Sequence, residues 1–217
     1  MIYTHPLFTK FLDRNNVSTI VEAGARWGAE SRDLSEFYRQ ADIYSFEPNP
    51  NTREDCRNEL ESLSNVKFYD FGLGDKNDEL PFFSTPTGHE GSSSFLKRID
   101  FESFQEQTGV IKTLRLDDFM RNEGIQHIDL LCMDVQGFEL NILKGAGEFI
   151  DKIKFVIMEE PTSEKWPAFL PQDIHSFYVG APPASEIQRF MIDNGFQEIA
   201  RIRENDVEDN VMYGRIK

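Results

Sequence analysis

The chain has 217 residues, enough to bury a core without disulfide or metal staples, and 39% are hydrophobic, with 19 Phe, 6 Tyr and 2 Trp. The 38 Asp and Glu outnumber 23 Lys and Arg for a net charge of −15, a field that disfavours nonspecific binding to nucleic acid or an anionic membrane. There is no run of about 18 apolar residues, no signal-peptide pattern at the start and no disulfide framework from Cys56 and Cys132, so a soluble cytoplasmic protein is expected.

The pattern alternates short apolar runs with helical periodicity. Ser18 to Ala23 is a β-branched run that stops at Gly24, hence a first strand, and Leu34, Phe37, Tyr38 and Ala41 then recur at helical spacing. Ile43 to Glu47 is a second strand, ended by Pro48 and Pro50. Asn51-Thr52 opens a helix whose buried stripe is Cys56, Leu60 and Leu63. Val66 to Phe71 is a third strand that breaks at Gly72-Leu73-Gly74. Residues 75–112 are less regular, with one strand at Leu80 to Ser84 and a Gly/Ser stretch at Gly88 to Ser94.

Regularity returns at Thr113 to Leu116, followed by Asp117 as the cap of a short helix. Ile128 to Asp134 is a buried strand, a helix follows from about Phe138, and Lys154 to Glu159 is another buried strand. Residues 161–183 are proline-rich, with Trp166, Phe169, Phe177 and Tyr178. A helix from Ser185 to Asn194 stops at Gly195, and strands Phe196 to Arg203 and Asn210 to Ile216 close the chain. Strand alternating with helix implies βαβ units and a parallel sheet covered on both faces, and the closing pair is joined by too few residues for a crossover helix. The expected fold is therefore α/β: one domain over 1–217 with a seven-stranded, mostly parallel sheet, an antiparallel edge strand and helices on both faces.

In such sheets ligands bind outside the carboxyl ends of the strands. The first loop reads Glu22-Ala-Gly24-Ala-Arg26-Trp-Gly28, where glycine permits positive φ and close approach of a ligand to the backbone. A dinucleotide site wants glycine where Arg26 stands, and Glu22 would repel a pyrophosphate. The same acid would attract a ligand carrying an amine and a sulfonium, which points to S-adenosylmethionine; a plain glycine turn is the alternative. Glu47, ending the second strand, is placed to accept the hydroxyls of an adenosine ribose. Gly72-Leu73 is where an adenine edge would meet backbone groups, or a simple turn. Asp134 ends an apolar strand and can reach the methionyl amine or a metal. Glu139 can serve the first turn of its own helix.

Ile20-Val-Glu22-Ala-Gly24-Ala-Arg26-Trp-Gly28-Ala-Glu30-Ser31, Ser45-Phe-Glu47-Pro48-Asn49-Pro50, Thr113 to Asp118 and, most specifically, Asp134-Val-Gln136-Gly-Phe-Glu139 with Leu143-Lys-Gly-Ala146 together resemble the FkbM family of S-adenosylmethionine-dependent methyltransferases. The resemblance runs from about residue 17 to the end and departs where Glu22 replaces the usual Asp and Cys132-Met133 replace a frequent Lys. It implies a Rossmann-like class I methyltransferase fold and methyl transfer to a hydroxyl of a sugar or natural-product scaffold. It also implies that Ser31, Pro48 and Asn49 join Glu22, Gly24, Gly28, Glu47, Gly72, Leu73 and Asp134 around the cofactor.

Asp134, Glu159 and Glu160 would form a hard oxygen site suited to magnesium if they converge; the alternative is that they are solvated or capping acids. His89, on the Gly/Ser stretch, and His175, in the proline-rich segment, are candidate general bases beside Asp134, whereas His5 and His127 read as bystanders. Segments 75–112 and 161–183 are the expected lids over a small hydroxylated acceptor. A dinucleotide-dependent oxidoreductase and a catalytically silent binding module are the competing functions; neither acceptor identity nor oligomeric state is legible.

Overall fold

The computed structural model describes residues 2–86, 88–99, 106–162 and 176–216. A short helix α1 (Pro6–Thr9) precedes β1 (Thr19–Ala23), α2 (Ala29–Phe37), β2 (Asp42–Phe46), α3 (Arg53–Leu60) and β3 (Val66–Tyr69). Next come β4 (Gly72–Gly74), β5 (Asp78–Ser84), β6 (Glu106–Arg115) and α4 (Leu116–Glu123). The chain ends with β7 (Ile128–Met133), α5 (Glu139–Gly145), β8 (Ile153–Pro161), α6 (Ala184–Asp193), β9 (Phe196–Arg203) and β10 (Glu208–Arg215).

Seven strands form the expected sheet in the order β3-β2-β1-β7-β8-β10-β9. The first five are mutually parallel. The closing hairpin makes the antiparallel edge, with the reversed β10 inserted between β8 and β9. Chain order reverses between β1 and β7, which opens a crevice at their carboxyl ends.

Alternation along each strand divides the core. Val21, Phe46, Leu131, Met133 and Val156 pack on one face with Phe119, Leu140, Leu143 and Ile187 from α4, α5 and α6. Ile20, Ile43, Leu130, Cys132 and Ile157 face the other way, against Leu34, Tyr38, Phe8 and Leu12. Burial on both faces explains why these strands read as continuous apolar runs. Each fully buried Leu or Ile contributes about 1.5–3 kcal/mol relative to exposure. Cys56 and Cys132 are buried free thiols, as their positions on an apolar stripe and inside a strand imply.

Two features depart from the sequence reading. The segment after Gly72 builds a second sheet, β4-β6-β5, in which β5 and β6 pair antiparallel from Asp78↔Thr113 to Ser84↔Glu106. A register shift at Phe82/Phe83 and Gly109 at φ 133° break the period-two signal there. Asp117 is also not a cap. It lies inside the first turn of α4 and receives two 2.9 Å bonds from the Arg115 guanidinium.

Candidate active site

The loop after β1 turns on two glycines, and its geometry shows why they are needed. Gly24 has φ 93°, and a Cβ on it would lie 1.9 Å from the carbonyl oxygen of Asp134. Only glycine lets the loops after β1 and β7 meet this closely. Gly28, at φ 84°, is the N-cap of α2. Between them Arg26 holds φ 51° and points its backbone N–H at Glu47.

Glu47 joins the loops after β1 and β2. Its Oε2 accepts the Arg26 N–H at 2.6 Å, and its Oε1 accepts the Asn49 N–H at 2.8 Å. Burial pushes its carboxyl up to about 7, opposed by those two bonds. Glu47, Pro48, Asn49, Gly24 and Asp134 all line one cleft at the switch point.

The opposite wall comes from the 75–112 segment. Phe82 and Phe95 stand edge to face at 5.0 Å, with Phe138 behind Phe95. Glu90, Gly91, Ser93 and Ser94 complete that wall. Ser94 ties the wall down by donating to the Gln136 carbonyl at 2.9 Å, while its backbone bridges to Phe83. The Arg26 guanidinium lies 3.8 Å from Glu90 and stacks on Trp27, 3.6 Å from the ring centre. This aromatic wall was missed in the sequence; Phe82 and Phe95 flank the Gly/Ser stretch without any periodicity to mark them.

Other expected cofactor residues lie around the cleft rather than in its lining. Glu22 is fully buried beneath the loop, where the hydroxyls of Ser31 and Ser45 donate to its Oε2. Its Oε1 has no hydrogen-bond partner, and burial raises the carboxyl to about 8. Gly72 and Leu73 form β4; a Cβ on Gly72 would strike the Phe95 ring at 2.5 Å, so this glycine makes room for the aromatic wall.

At the ends of β7 and β8 the carboxylates of Asp134 and Glu159 accept bonds from a single amide. Gln136, in the left-handed region at φ 57°, donates from Nε2 to Asp134 at 2.5 Å and to Glu159 at 3.0 Å. Its Oε1 accepts the Tyr178 hydroxyl at 2.6 Å. Burial is the main cause that raises both carboxyls. Glu139 accepts the Val135 N–H at 3.1 Å and so fixes the turn before its own helix, the structural role the sequence allowed it.

The three-carboxylate metal site does not form. Glu159 and Glu160 are consecutive on β8, so their side chains leave opposite faces of the sheet. Glu160 is held by Arg201 at 3.0 Å, by Gln188 at 3.2 Å and by the Tyr213 hydroxyl. Among the described residues no group of three or more His, Cys, Asp and Glu could hold a metal ion. The expected magnesium site is therefore withdrawn.

Of the candidate bases, His89 is exposed on the segment beside the cleft and is absent from its lining, and His175 lies outside the described residues. A second cavity adjoins the cleft through Asp134 and Arg26. Its other walls include Tyr3, His5, Glu30, Glu159 and Glu204. Pro6 at the start of α1 is the one sequence signal near that wall, since proline favours the first helical position.

Residues 22–198 match the methyltransferase FkbM domain. The chain belongs to the FkbM methyltransferase family. This FkbM chain is 26% identical over 165 residues to the 2-O-methyltransferase NoeI of Sinorhizobium fredii, covering 70% of the chain and 67% of NoeI. It is 24% identical over 168 residues to the hexuronic acid methyltransferase AglP of Haloferax volcanii, covering 77% and 64%. The crystal structure of methyltransferase FkbM from Methylobacillus flagellatus superposes with a TM-score of 0.59 at 18% identity, covering 97% of this chain and 47% of that one. The chain thus spans about two thirds of these curated relatives and about half of the solved structure. Membership of this family replaces the dinucleotide-dependent oxidoreductase reading. Among the described residues no helix is long and apolar enough to cross a membrane.

Proposed function

We propose that the protein transfers a methyl group from S-adenosylmethionine to a hydroxyl of a small molecule, a sugar or a natural-product scaffold. The observation that carries this reading is Glu47, an acid on the cleft at the end of β2, fixed by two backbone N–H groups. Each of its oxygens accepts one N–H and keeps capacity for a further donor, as the two hydroxyls of a ribose require. Gly24 admits a ligand against the backbone, and Phe82 and Phe95 offer an apolar wall to an adenine. These residues fit the cofactor.

When bound, S-adenosylmethionine supplies an electrophilic methyl group on a sulfonium. The protein's part is alignment, because holding donor and acceptor in line supplies much of the rate. The small-molecule acceptor is carried over from the relatives, whose names specify 2-O-methylation and a hexuronic acid. One domain in the cytoplasm, with the described part of segment 75–112 covering the acceptor, belongs to the same proposal; residues 163–175 of the other expected lid, Trp166 and Phe169 among them, lie outside the described residues.

The test is transfer of labelled methyl from S-adenosylmethionine to a panel of mono- and disaccharides and hydroxylated natural products. Label in an alkali-stable ether is the expected result. Cofactor binding with no transfer across the panel would favour the silent binding module.

A further inference from the structure

The second cavity brings Asp134, whose carboxylate has a built support, onto one lining with Tyr3. Asp134 belongs to both spaces. Its carboxylate accepts a hydrogen bond from the Gln136 amide, which also donates to Glu159. Tyr178 fixes which end of the amide faces the acids, because its hydroxyl donates to the Gln136 oxygen. The amide is thus committed as a donor to both carboxyls. Tyr3 is 96% buried and lines this cavity with Asp134 and Glu159.

We propose that Asp134 takes the proton of the acceptor's hydroxyl, that Gln136 and Glu159 are positioning residues that keep it ionised and aimed, and that Tyr3 contacts the acceptor in the second cavity. This rests on the methyltransferase reading. In the step, the acceptor oxygen bonds to the methyl carbon while the carbon–sulfur bond breaks and its electrons return to sulfur as a neutral thioether. The hydroxyl proton passes to the Asp134 carboxylate, which balances the charge lost from the sulfonium, and then to water.

Glu159 must be the protonated partner for this to work. Burial raises its carboxyl, and Asp134, Glu208, Glu139 and Glu204 add to the opposition to its ionisation. Glu30 and Glu208 oppose that of Asp134 in turn. The cations lining the cavity are Arg26, already beside Glu90, and His5 when protonated; the Nδ1 of His5 accepts the Leu7 N–H at 3.1 Å. A neutral Glu159 therefore donates to the Asp134 anion, and the Gln136 amide donates beside it. Removing either donor disfavours the anion and raises the pH at which Asp134 becomes a base.

The measurement is a carboxyl carbon-13 titration of the labelled protein with S-adenosylhomocysteine bound, alongside the pH profile of kcat/KM on any hydroxylated probe of the saccharide panel that is turned over. Asp134 should titrate above the ordinary aspartate range. Gln136→Leu and Glu159→Leu should move its midpoint up by about one pH unit, a tenfold loss of kcat/KM on the acid limb. Glu159→Gln, whose amide still donates, should leave the midpoint nearly in place and rescue the loss. Asp134→Asn should lower kcat about 10²–10⁴-fold, and Tyr3→Phe should raise KM with kcat retained. An Asp134 midpoint in the ordinary range, or one that neither leucine variant moves, overturns the proposal even if no probe is turned over. Full kcat in Asp134→Asn also overturns it, while leaving methyl transfer itself intact. Failure of the wild-type protein to bind S-adenosylhomocysteine would instead remove the underlying reading.

Discussion

Glu47 and Glu22 are both acids at the ends of neighbouring strands, yet only one opens on the cleft. Glu47 is held by two backbone N–H groups on the cleft wall, whereas Glu22 is sealed beneath the glycine loop with Ser31 and Ser45. Glu47→Ala should weaken S-adenosylhomocysteine binding by about 1.5–3 kcal/mol per lost charge-assisted bond, read by calorimetry; unchanged affinity would remove Glu47 from the ribose. Glu22 has a folded value near 8 and a lower unfolded one, so the folded state keeps a proton that the unfolded chain releases. Its contribution is full below the unfolded value and is lost as pH rises towards about 8. Urea unfolding should therefore show stability declining from about pH 5 to 8, and Glu22→Gln should flatten that decline; an identical slope in the variant would contradict the burial argument. At this scale the sequence marked the acids at the strand ends but not always which way they face. The adjacent pair Glu159-Glu160 was an exception that could have been read, because period-two alternation alone forbids both from entering one site.

The central strands of the main sheet were legible because burial on both faces makes them largely apolar, as in β7, and short turns separate them from the helices. The β5–β6 sheet was not, since its strands are half covered and interrupted by a register shift and Gly109. That sheet delivers Phe82, and the Gly/Ser stretch beyond it delivers Ser94 and Phe95, so half of the cleft was invisible in advance. The Gly/Ser stretch belongs to an expected lid, and Ser94 already bonds to the turn carrying Gln136. Hydrogen exchange should then show residues 91–94 gaining protection with S-adenosylhomocysteine while Ser94 itself is partly protected before ligand is added. Equal protection in both states would mean that the stretch is a fixed wall and not a closing element. On the closing hairpin, Arg201 neutralises Glu160 and also bonds Asp209 at 3.0 Å. Arg201→Ala should cost about 1–3 kcal/mol in chemical denaturation by leaving a buried acid short of a partner; no loss would show that Glu160 is protonated and satisfied by Tyr213 and Gln188.

For the whole molecule, a chain of net charge −15 gathers acids at the carboxyl ends of its strands and offsets them by burial, shared amides and backbone N–H groups. The second cavity joins Tyr3 to Glu159 and Glu204, contacts so distant along the chain that no local pattern announces them. The most direct test of the central claim is isothermal titration of the intact protein with S-adenosylhomocysteine and, separately, with NAD. One-to-one binding of S-adenosylhomocysteine that Gly24→Val abolishes in a folded variant is expected, with no heat from NAD. Saturable NAD binding with none for S-adenosylhomocysteine would contradict the claim.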